Sequence, residues 1–295
     1  LSSANFNDAL LYATDFNRAN LKAAVFTGAD LASSDFSDAD LEGATLTDTH
    51  VGSSYWATGG EDLADTRFGG ANLRGADLSN NTWDTEYPVD MESVNLERAN
   101  LSAGTFNLDL GSESNFIGAN LNETKFVAFS HGSDMNFSRA NCQEALFNNV
   151  SFDYGNYSYT NFTNAQIKKS SLPYSKFVET IFDGVEFSEV DLYSSQLHGL
   201  DMTKAKFKDV TLGACEVHNS IFDGVIVISD RTIIVDQLRD EIKQFEDTEG
   251  LVPNIENSNQ LGDELEHSSK IIVSTQQKFF DVKDRIGKLG GKHYA

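Results

Sequence analysis

Few residues in this sequence have the type and spacing that a reaction or a metal ion would need. His198 and His218 lie twenty residues apart, with Glu216 beside the second histidine. Two imidazoles and one carboxylate are ligands that zinc accepts. Cys142 and Cys215 are the only two cysteines, and a disulfide requires their Cα atoms to lie within about 7 Å. What these groups can do therefore depends on the elements that position them.

The remaining sequence offers little for catalysis. It contains no G-x-S-x-G, H-E-x-x-H or Walker sequence, no dinucleotide-binding fingerprint and no clustered pair of cysteines. Aspartate and glutamate are abundant, but they recur at regular positions where an ordinary solvated surface accounts for them. We therefore predict that the protein is not an enzyme and that it needs no cofactor.

The charge of the chain limits its partners. Asp and Glu number 45 and Lys and Arg number 22, which gives a net charge of −23. The phosphates of nucleic acid or of an anionic membrane would be repelled over about one Debye length, so we expect neither as a direct partner. The same charge suits a basic protein partner, or it only keeps the chain in solution. The sequence contains no apolar run of about 18 residues, which predicts no transmembrane segment.

A five-residue period organises most of the chain. Over residues 19–46 a Leu or Phe recurs at every fifth position, and a small residue stands two places before it, as in Ala29 and Leu31. A continuous helix turns by about 500° in five residues, so these side chains would not stay on one face. In a long strand, an odd period would send successive large residues to opposite faces. The pattern therefore indicates short extended units joined by corners, which is typical of a solenoid whose coils stack about 4.8 Å apart.

These units resemble those of the pentapeptide-repeat family. The resemblance rests on Ala-Asp/Asn-Leu and Ser/Thr-Asp-Phe units, such as residues 29–31 and 34–36. It implies an all-β solenoid, a right-handed quadrilateral β-helix with four units to a coil. On this interpretation the repeats form a domain over residues 1–229 with about eleven coils. Every twentieth residue then stacks in one column, for example Phe16, Phe36 and Trp56.

Three interruptions break the period, near residues 57–62, 84–90 and 127–136. Counting units in fours places them on neighbouring corners, within about two to three coils of one another. A regular rod has few other places for a specific surface, so we predict a protein-contact patch there, although tolerated insertions at a solvated corner would give the same pattern. The residues of this patch are Glu61, Asp62, Glu86, Tyr87, Pro88, Asp90, Phe129 and His131.

The period stops after Ile228, and the sequence then changes character. Apolar residues recur at helical spacing, which predicts an α-helical segment over residues 230–295. We expect this segment to cap the exposed end of the solenoid, or to dock onto a protein partner or a second copy of the chain. Four of its apolar residues stand seven apart, as in a coiled coil: Leu265, Ile272, Phe279 and Ile286.

The coil geometry also bears on the histidines and cysteines. In a coil of four units, His198 and His218 become neighbours on the outer surface, where a solvated pair is a simpler interpretation than a metal site. Cys142 and Cys215 are 73 residues apart. That separation corresponds to about 17 Å along the axis, so we expect both to fill the core without forming a disulfide. We predict no metal site.

The sequence thus predicts a non-enzymatic scaffold or structural subunit, an acidic rod that contacts proteins through its corner loops and C-terminal helices. The resemblance also implies an alternative, a DNA-mimic protein that binds a type II topoisomerase, since such relatives are acidic rods that dimerise through their C-terminal ends. A third possibility, an ice-binding face, needs a flat threonine array, and the threonines here are scattered. The sequence does not indicate which protein is the partner, or in which compartment the chain works.

Overall fold

The computed structural model describes residues 1–51, 66–83, 89–127, 131–220, 225–229, 260 and 271–275. Through residue 220 the described chain is a parallel β-solenoid, as the five-residue period predicts. The extended units up to residue 81 are so short that they pair through single bridges, and longer strands form only further along the chain. The predicted number of coils includes residues outside this description and stays a prediction.

The described residues contain sixteen strands, and most are only two or three residues long because a corner follows each unit. The strands are β1 (Thr82–Trp83), β2 (Val89–Asp90), β3 (Thr105–Phe106), β4 (Leu108–Ser112), β5 (Lys125–Phe126), β6 (His131–Ser133), β7 (Leu146–Asn148), β8 (Ser151–Asp153), β9 (Gln166–Ser171), β10 (Lys176–Val178), β11 (Glu186–Asp191), β12 (Gln196–His198), β13 (Lys206–Thr211), β14 (Glu216–His218), β15 (Val225–Ser229) and β16 (Ile271–Thr275).

Each coil has four faces, which we number in chain order from the face that contains Leu21. On face two, one column of outward residues is linked by parallel bridges through Asn5, Val25, Thr45, Asp77, Asn100, Asn120, Asn141, Asn161 and Ile181. Strands of faces three and four belong to one sheet with the order β1-β3-β5-β7-β9-β8-β6-β4-β2. The two faces join because β9, β11 and β13 each run through the corner between them. Successive coils are twenty residues apart wherever the period is regular, which confirms four units to a coil.

Stacked large side chains form the core. Phe16 stacks on Phe36 with 4.9 Å between ring centroids, and Phe36 stacks on Phe68 at 5.0 Å. The prediction that Trp56 follows Phe36 in this column is therefore wrong. The count of five-residue units included Trp56 and Leu63, whereas the ladder stops after Val51 and resumes at Arg67.

Small inward residues do more than leave space for their large neighbours. The hydroxyl of Ser34 donates a hydrogen bond to the carbonyl of Leu11 at 2.6 Å, and that of Thr124 to the carbonyl of Leu101 at 2.8 Å. In both pairs the partners are 23 residues apart, which is one coil plus three positions. The carbonyls of Leu11 and Leu101 also accept the N–H of the residue three positions later, so these bonds satisfy the buried hydroxyls and join adjacent coils inside the core.

Corner residues adopt the left-handed backbone conformation in unit after unit. The φ angle is 55° at Ser3, 51° at Ala13 and 57° at Arg18. Most side chains are uncommon in this conformation, and here the stacking of coils imposes it. Ala23, Ala103 and Ala214 also adopt it, so alanine is compatible with a corner.

The described C-terminal residues include a strand where a helix was predicted. Strand β16 pairs with β15 in parallel register, and Ile272 lies opposite Ile226. The helical prediction is therefore wrong at residues 271–275, where the sequence Ile-Ile-Val-Ser-Thr is rich in the β-branched residues that favour strands. Leu265, Phe279 and Ile286 lie outside the described residues. No helix found in the described part of the chain has the length and apolar character needed to cross a bilayer.

Candidate protein-contact site

All three interruptions fall on one corner, the corner between faces three and four. Face three ends at Val51, Trp83 and Val127 before the respective interruptions, and face four resumes at Thr66, Val89 and His131. We call these six flanking residues the interrupted corner. The prediction of neighbouring corners is wrong because the unit count passed through Trp56 and Leu63. The interruptions therefore lie closer together in the structure than the count of five-residue units predicted.

The ends of the first two interruptions are fixed in the core. Val51 is 2% exposed and Thr66 is completely buried, with its hydroxyl donating to the carbonyl of Leu31 at 3.0 Å. At the second interruption, Trp83 is completely buried and Val89 is 1% exposed. Any contact surface at this corner is therefore presented from rigid ends, which reduces the entropy lost on binding.

Trp83 joins the two faces beneath the corner. Its ring stacks on Phe68 of face four at 5.6 Å and meets Phe106 of face three edge-on at 5.5 Å. Its indole N–H donates to the hydroxyl of Thr49 at 3.2 Å. That hydroxyl donates in turn to the amide oxygen of Asn81 at 3.1 Å. The sequence predicted that Trp83 lies in the core, but it did not predict this buried network. The signal for it was the polar side chain of Asn81, at an inward position where most units have a small residue.

The outward column of face four next to the corner mixes charges. The guanidinium of Arg67 lies 3.7 Å from the carboxylate of Asp35. Burial raises the pKa of Asp35, but hydrogen bonds from Ser37 and the charge of Arg67 lower it, and the net pKa lies below its ordinary value. Further along, Nε2 of His131 lies 3.3 Å from Oδ1 of Asp109. The column therefore presents carboxylates with two interspersed basic groups.

Two of the predicted contact residues share this column. Asp90 pairs with Asp109, and Asp109 pairs with His131, so the structure brings Asp90 and His131 onto one strip of face four. The carboxylate of Asp90 accepts a hydrogen bond from the backbone N–H of Glu92 at 3.1 Å. The other predicted contact residues of the interruptions lie outside the described residues: Glu61, Asp62, Glu86, Tyr87, Pro88 and Phe129.

The negative charge is not spread evenly over the four faces. Outward columns of faces one and two consist largely of asparagines whose side-chain amides bond from coil to coil. Asn120 donates to Asn100 at 2.9 Å and Asn115 donates to Asn95 at 3.2 Å. Each amide oxygen also accepts a backbone N–H two residues later, as Asn115 does from Ile117 at 3.0 Å. These neutral ladders were not predicted, although Asn at every twentieth position was a visible signal.

On the corner between faces one and two, acidic groups are neutralised by basic ones. Glu42 lies 2.9 Å from both Lys22 and Arg74, and Arg74 lies 3.5 Å from Glu97. Hydrogen bonds from Lys22 and Arg74 lower the pKa of Glu42. Charge available to a partner is therefore greater on other corners.

The coil geometry places the two histidines next to each other, as predicted. His198 and His218 are neighbours, with ring centroids 4.7 Å apart. Burial and the adjacent His218 lower the pKa of His198. No three His, Cys, Asp or Glu residues converge on a possible metal position in the part of the chain that the structure describes. Cys142 is buried, Cys215 is half-buried, and both are free thiols.

Comparison with known proteins agrees with this geometry. A family model described as pentapeptide repeats matches eight copies, within residues 9–48 and 175–209. The ladder consists of coils of four five-residue units, as the resemblance to such repeats implies. Residues 9–48 and 175–209 of this chain are pentapeptide repeats. No curated protein matches this chain by sequence.

Solved structures also match this chain. One form of QnrB1, a plasmid-mediated fluoroquinolone resistance protein, is 18% identical over 74% of this chain and 91% of that chain, with a TM-score of 0.35. HetL, involved in heterocyst differentiation regulation in the cyanobacterium Nostoc sp. strain PCC 7120, is 20% identical over 71% of this chain and 92% of that chain, with a TM-score of 0.26.

Proposed function

We propose that this chain is a non-enzymatic protein-interaction scaffold or structural subunit, and that it contacts its partner through the interrupted corner. The observation that carries the proposal is the stacking of three interruptions on the same corner of an otherwise regular solenoid. Tolerated insertions have no reason to select one corner in four. Because the flanking residues share one corner, contact residues in the three interruptions would be available to the same partner.

The support beneath the corner also favours a binding role. Completely buried side chains, Thr66 and Trp83, hold the chain where it enters or leaves an interruption. The predicted contact residues include the acids Glu61, Asp62, Glu86 and Asp90. This composition fits a partner with a basic surface, which would associate faster and more tightly at low ionic strength.

Affinity capture from the native source tests the proposal. The bait is the full chain, and the test variant carries Glu61→Gln, Asp62→Asn and Glu86→Gln, which remove charge without shortening the chain. A matched control carries Arg98→Ala and Ser138→Ala on the diagonally opposite corner. We expect the test variant to lose a partner that the wild type and the control retain. A partner profile that is unchanged in the test variant would refute a contact role for these acids.

The alternative function is a DNA-mimic protein that binds a type II topoisomerase, and the net charge of −23 favours it. Duplex DNA presents charge continuously along its length, whereas the outward ladders of faces one and two are largely neutral asparagine. This distribution favours the scaffold. A DNA gyrase supercoiling assay separates the two proposals, because inhibition of supercoiling or protection from a quinolone supports the mimic, and an unaffected gyrase together with co-purification in an assembly supports the scaffold.

A further inference from the structure

A second corner, between faces four and one, exposes aromatic rings on three consecutive coils. Tyr154, Tyr174 and Tyr193 are 55%, 47% and 43% exposed. Five of the eight exposed large apolar side chains in the described residues fall within residues 154–193. We call Tyr154, Tyr174 and Tyr193 the tyrosine file. This concentration is unusual on an acidic rod, and exposed apolar patches mark interaction sites.

The rings of the tyrosine file hold one another in place. Tyr154 and Tyr174 stack with 4.9 Å between centroids and 10° between ring planes. Tyr174 meets Tyr193 edge-on at 5.9 Å. Ordering these side chains in the free protein reduces the entropy cost of binding, and tyrosine is enriched where interfaces gain most of their energy.

The backbone at this corner gives no reason for tyrosine. Tyr154 and Tyr174 have φ angles of 57° and 55°, in the left-handed region where a bulky side chain is uncommon. Equivalent corner positions elsewhere in the coils are occupied mostly by small or polar residues, such as Ala13 and Ser33, although Tyr159 also adopts this conformation. The rings are therefore not explained by the fold, and they contribute no buried core.

A nearby corner shows which group such a ring accepts. On the corner between faces one and two, the guanidinium carbon of Arg139 lies 5.9 Å from the ring centroid of Tyr159, one coil further along. The equivalent corner position one coil before Tyr154 is occupied by Asp134, whose N–H donates to the carbonyl of Asp153 at 3.0 Å. The tyrosine file is thus preceded by carboxylates where Tyr159 is preceded by an arginine.

These carboxylates complement a positive charge from outside. Glu113, Asp134 and Asp153 occupy the same corner in the coils leading to Tyr174, and Asp191 accepts a hydrogen bond from the N–H of Tyr193 at 2.9 Å. Burial and the charge of Asp191 raise the pKa of Asp153. An incoming cation would relieve this repulsion while its planar face stacks on a ring.

We propose that the tyrosine file, with Asp134 and Asp153, binds an arginine-containing segment of a partner protein that runs along this corner. Arginine fits better than lysine because its guanidinium both stacks on an aromatic face and forms paired hydrogen bonds with a carboxylate. This proposal concerns a different corner from the interrupted corner, and it does not depend on the function proposed for the interrupted corner.

Fluorescence anisotropy with two labelled peptides tests the proposal. One probe contains six arginines and the other six lysines, so that their charge and length are equal and only the head group differs. At moderate salt we expect the full chain to bind the arginine peptide about two- to fivefold more tightly, in line with exposed cation–π contacts. We expect the variant Tyr154→Ala/Tyr174→Ala to lose this preference and to retain the weaker charge-dependent binding.

Matched variants keep the result interpretable. Alanine already occupies left-handed corner positions, so the double variant should fold, which circular dichroism checks. Tyr154→Phe/Tyr174→Phe should keep the arginine preference because the rings remain, and so should Tyr12→Ala, which removes an exposed tyrosine elsewhere.

Either of two kinds of outcome, in the peptide assay or in self-association, would overturn the proposal. One is equal affinity for the two peptides, or a preference that persists without the rings. The other is a wild type that self-associates through the tyrosine file without any arginine preference, since that would assign the surface to a second copy of the chain.

Discussion

Phe36 stacks on Phe68 with 5.0 Å between their ring centroids, although 32 residues separate them. A regular coil has twenty residues, as between Phe16 and Phe36. Twelve additional residues therefore enter the chain between two stacked rings without displacing them. The core column thus keeps its stacking whatever the length of the chain inserted at this corner.

Deleting residues 53–64 should leave the solenoid intact. The deletion removes twelve residues and restores the twenty-residue spacing, so the ladder from Asp35 to Arg67 needs no change of register. We expect the midpoint of urea unfolding, followed by circular dichroism, to shift little. Deleting residues 22–33, which are equal in number but belong to the regular ladder, should prevent folding because the register fails. A large loss of stability in the first variant would show that the interruption supports the core.

Replacing Phe137 should destabilise the core strongly. Phe137 is completely buried and stacks on Phe116 at 4.5 Å and on Tyr157 at 5.3 Å. We expect Phe137→Ala to lower the free energy of unfolding by about 3–5 kcal/mol, because it leaves a cavity that stacked coils cannot close. Phe137→Leu should lower the free energy of unfolding much less. Equal losses in urea denaturation would mean that ring stacking and volume contribute little here.

The asparagine ladder should contribute measurable stability. Asn120 donates to Asn100 at 2.9 Å, and its oxygen accepts from Asn141 and from the N–H of Asn122, both at 3.3 Å. We expect Asn120→Ala to cost about 1–2 kcal/mol, because partly buried groups lose their partners. Asn122→Ala removes an exposed amide that bonds only to the side chain of Glu123 and should be nearly neutral. Indistinguishable unfolding curves for the two variants would refute a stabilising ladder.

The C-terminal strand should protect the end of the solenoid. Removing residues 230–295 deletes β16 and leaves β15 without its partner. Because an unpaired edge strand pairs readily with another chain, we expect this truncation to associate, as measured by light scattering. Removing only residues 276–295 keeps β16, and we expect this shorter truncation to have the same state of association as the full chain. If the longer truncation also kept the state of association and the stability of the full chain, the C-terminal segment would not act as a cap.

Neither thiol should react quickly in the folded protein. Burial raises the pKa of Cys142, and burial raises the pKa of Cys215 to about 11. Since the thiolate is the reactive form, only about one thousandth of Cys215 is ionised at pH 8. We expect slow labelling by a thiol reagent at pH 8, faster labelling of Cys215 as the pH approaches 11, and two rapidly labelled thiols after unfolding. Rapid labelling of the folded protein at pH 8 would contradict the burial of these groups.

Much of the fold could be predicted from the sequence because the repeat is local. The spacing of residues such as Ala29 and Leu31 indicated inward pairs, and both are completely buried. Burial of Cys142 and the adjacency of His198 and His218 followed from the same count. The count failed at Trp56 and Leu63, because apolar residues within an interruption imitate the period. It also failed at Ile272, where seven-residue spacing suggested a helix and β-branched neighbours formed a strand.

The sequence by itself thus determined the short extended units, the stacked apolar core and the approximate positions of the breaks, because each depends on residues within one or two coils. Only the tertiary structure decided that the breaks share one corner, that Trp83 joins two faces beneath it, and that the tyrosines of three coils form one file. These relationships depend on how many residues each coil contains across an interruption. A period in the sequence cannot supply that number, because only the pairing of one coil with the next sets the register.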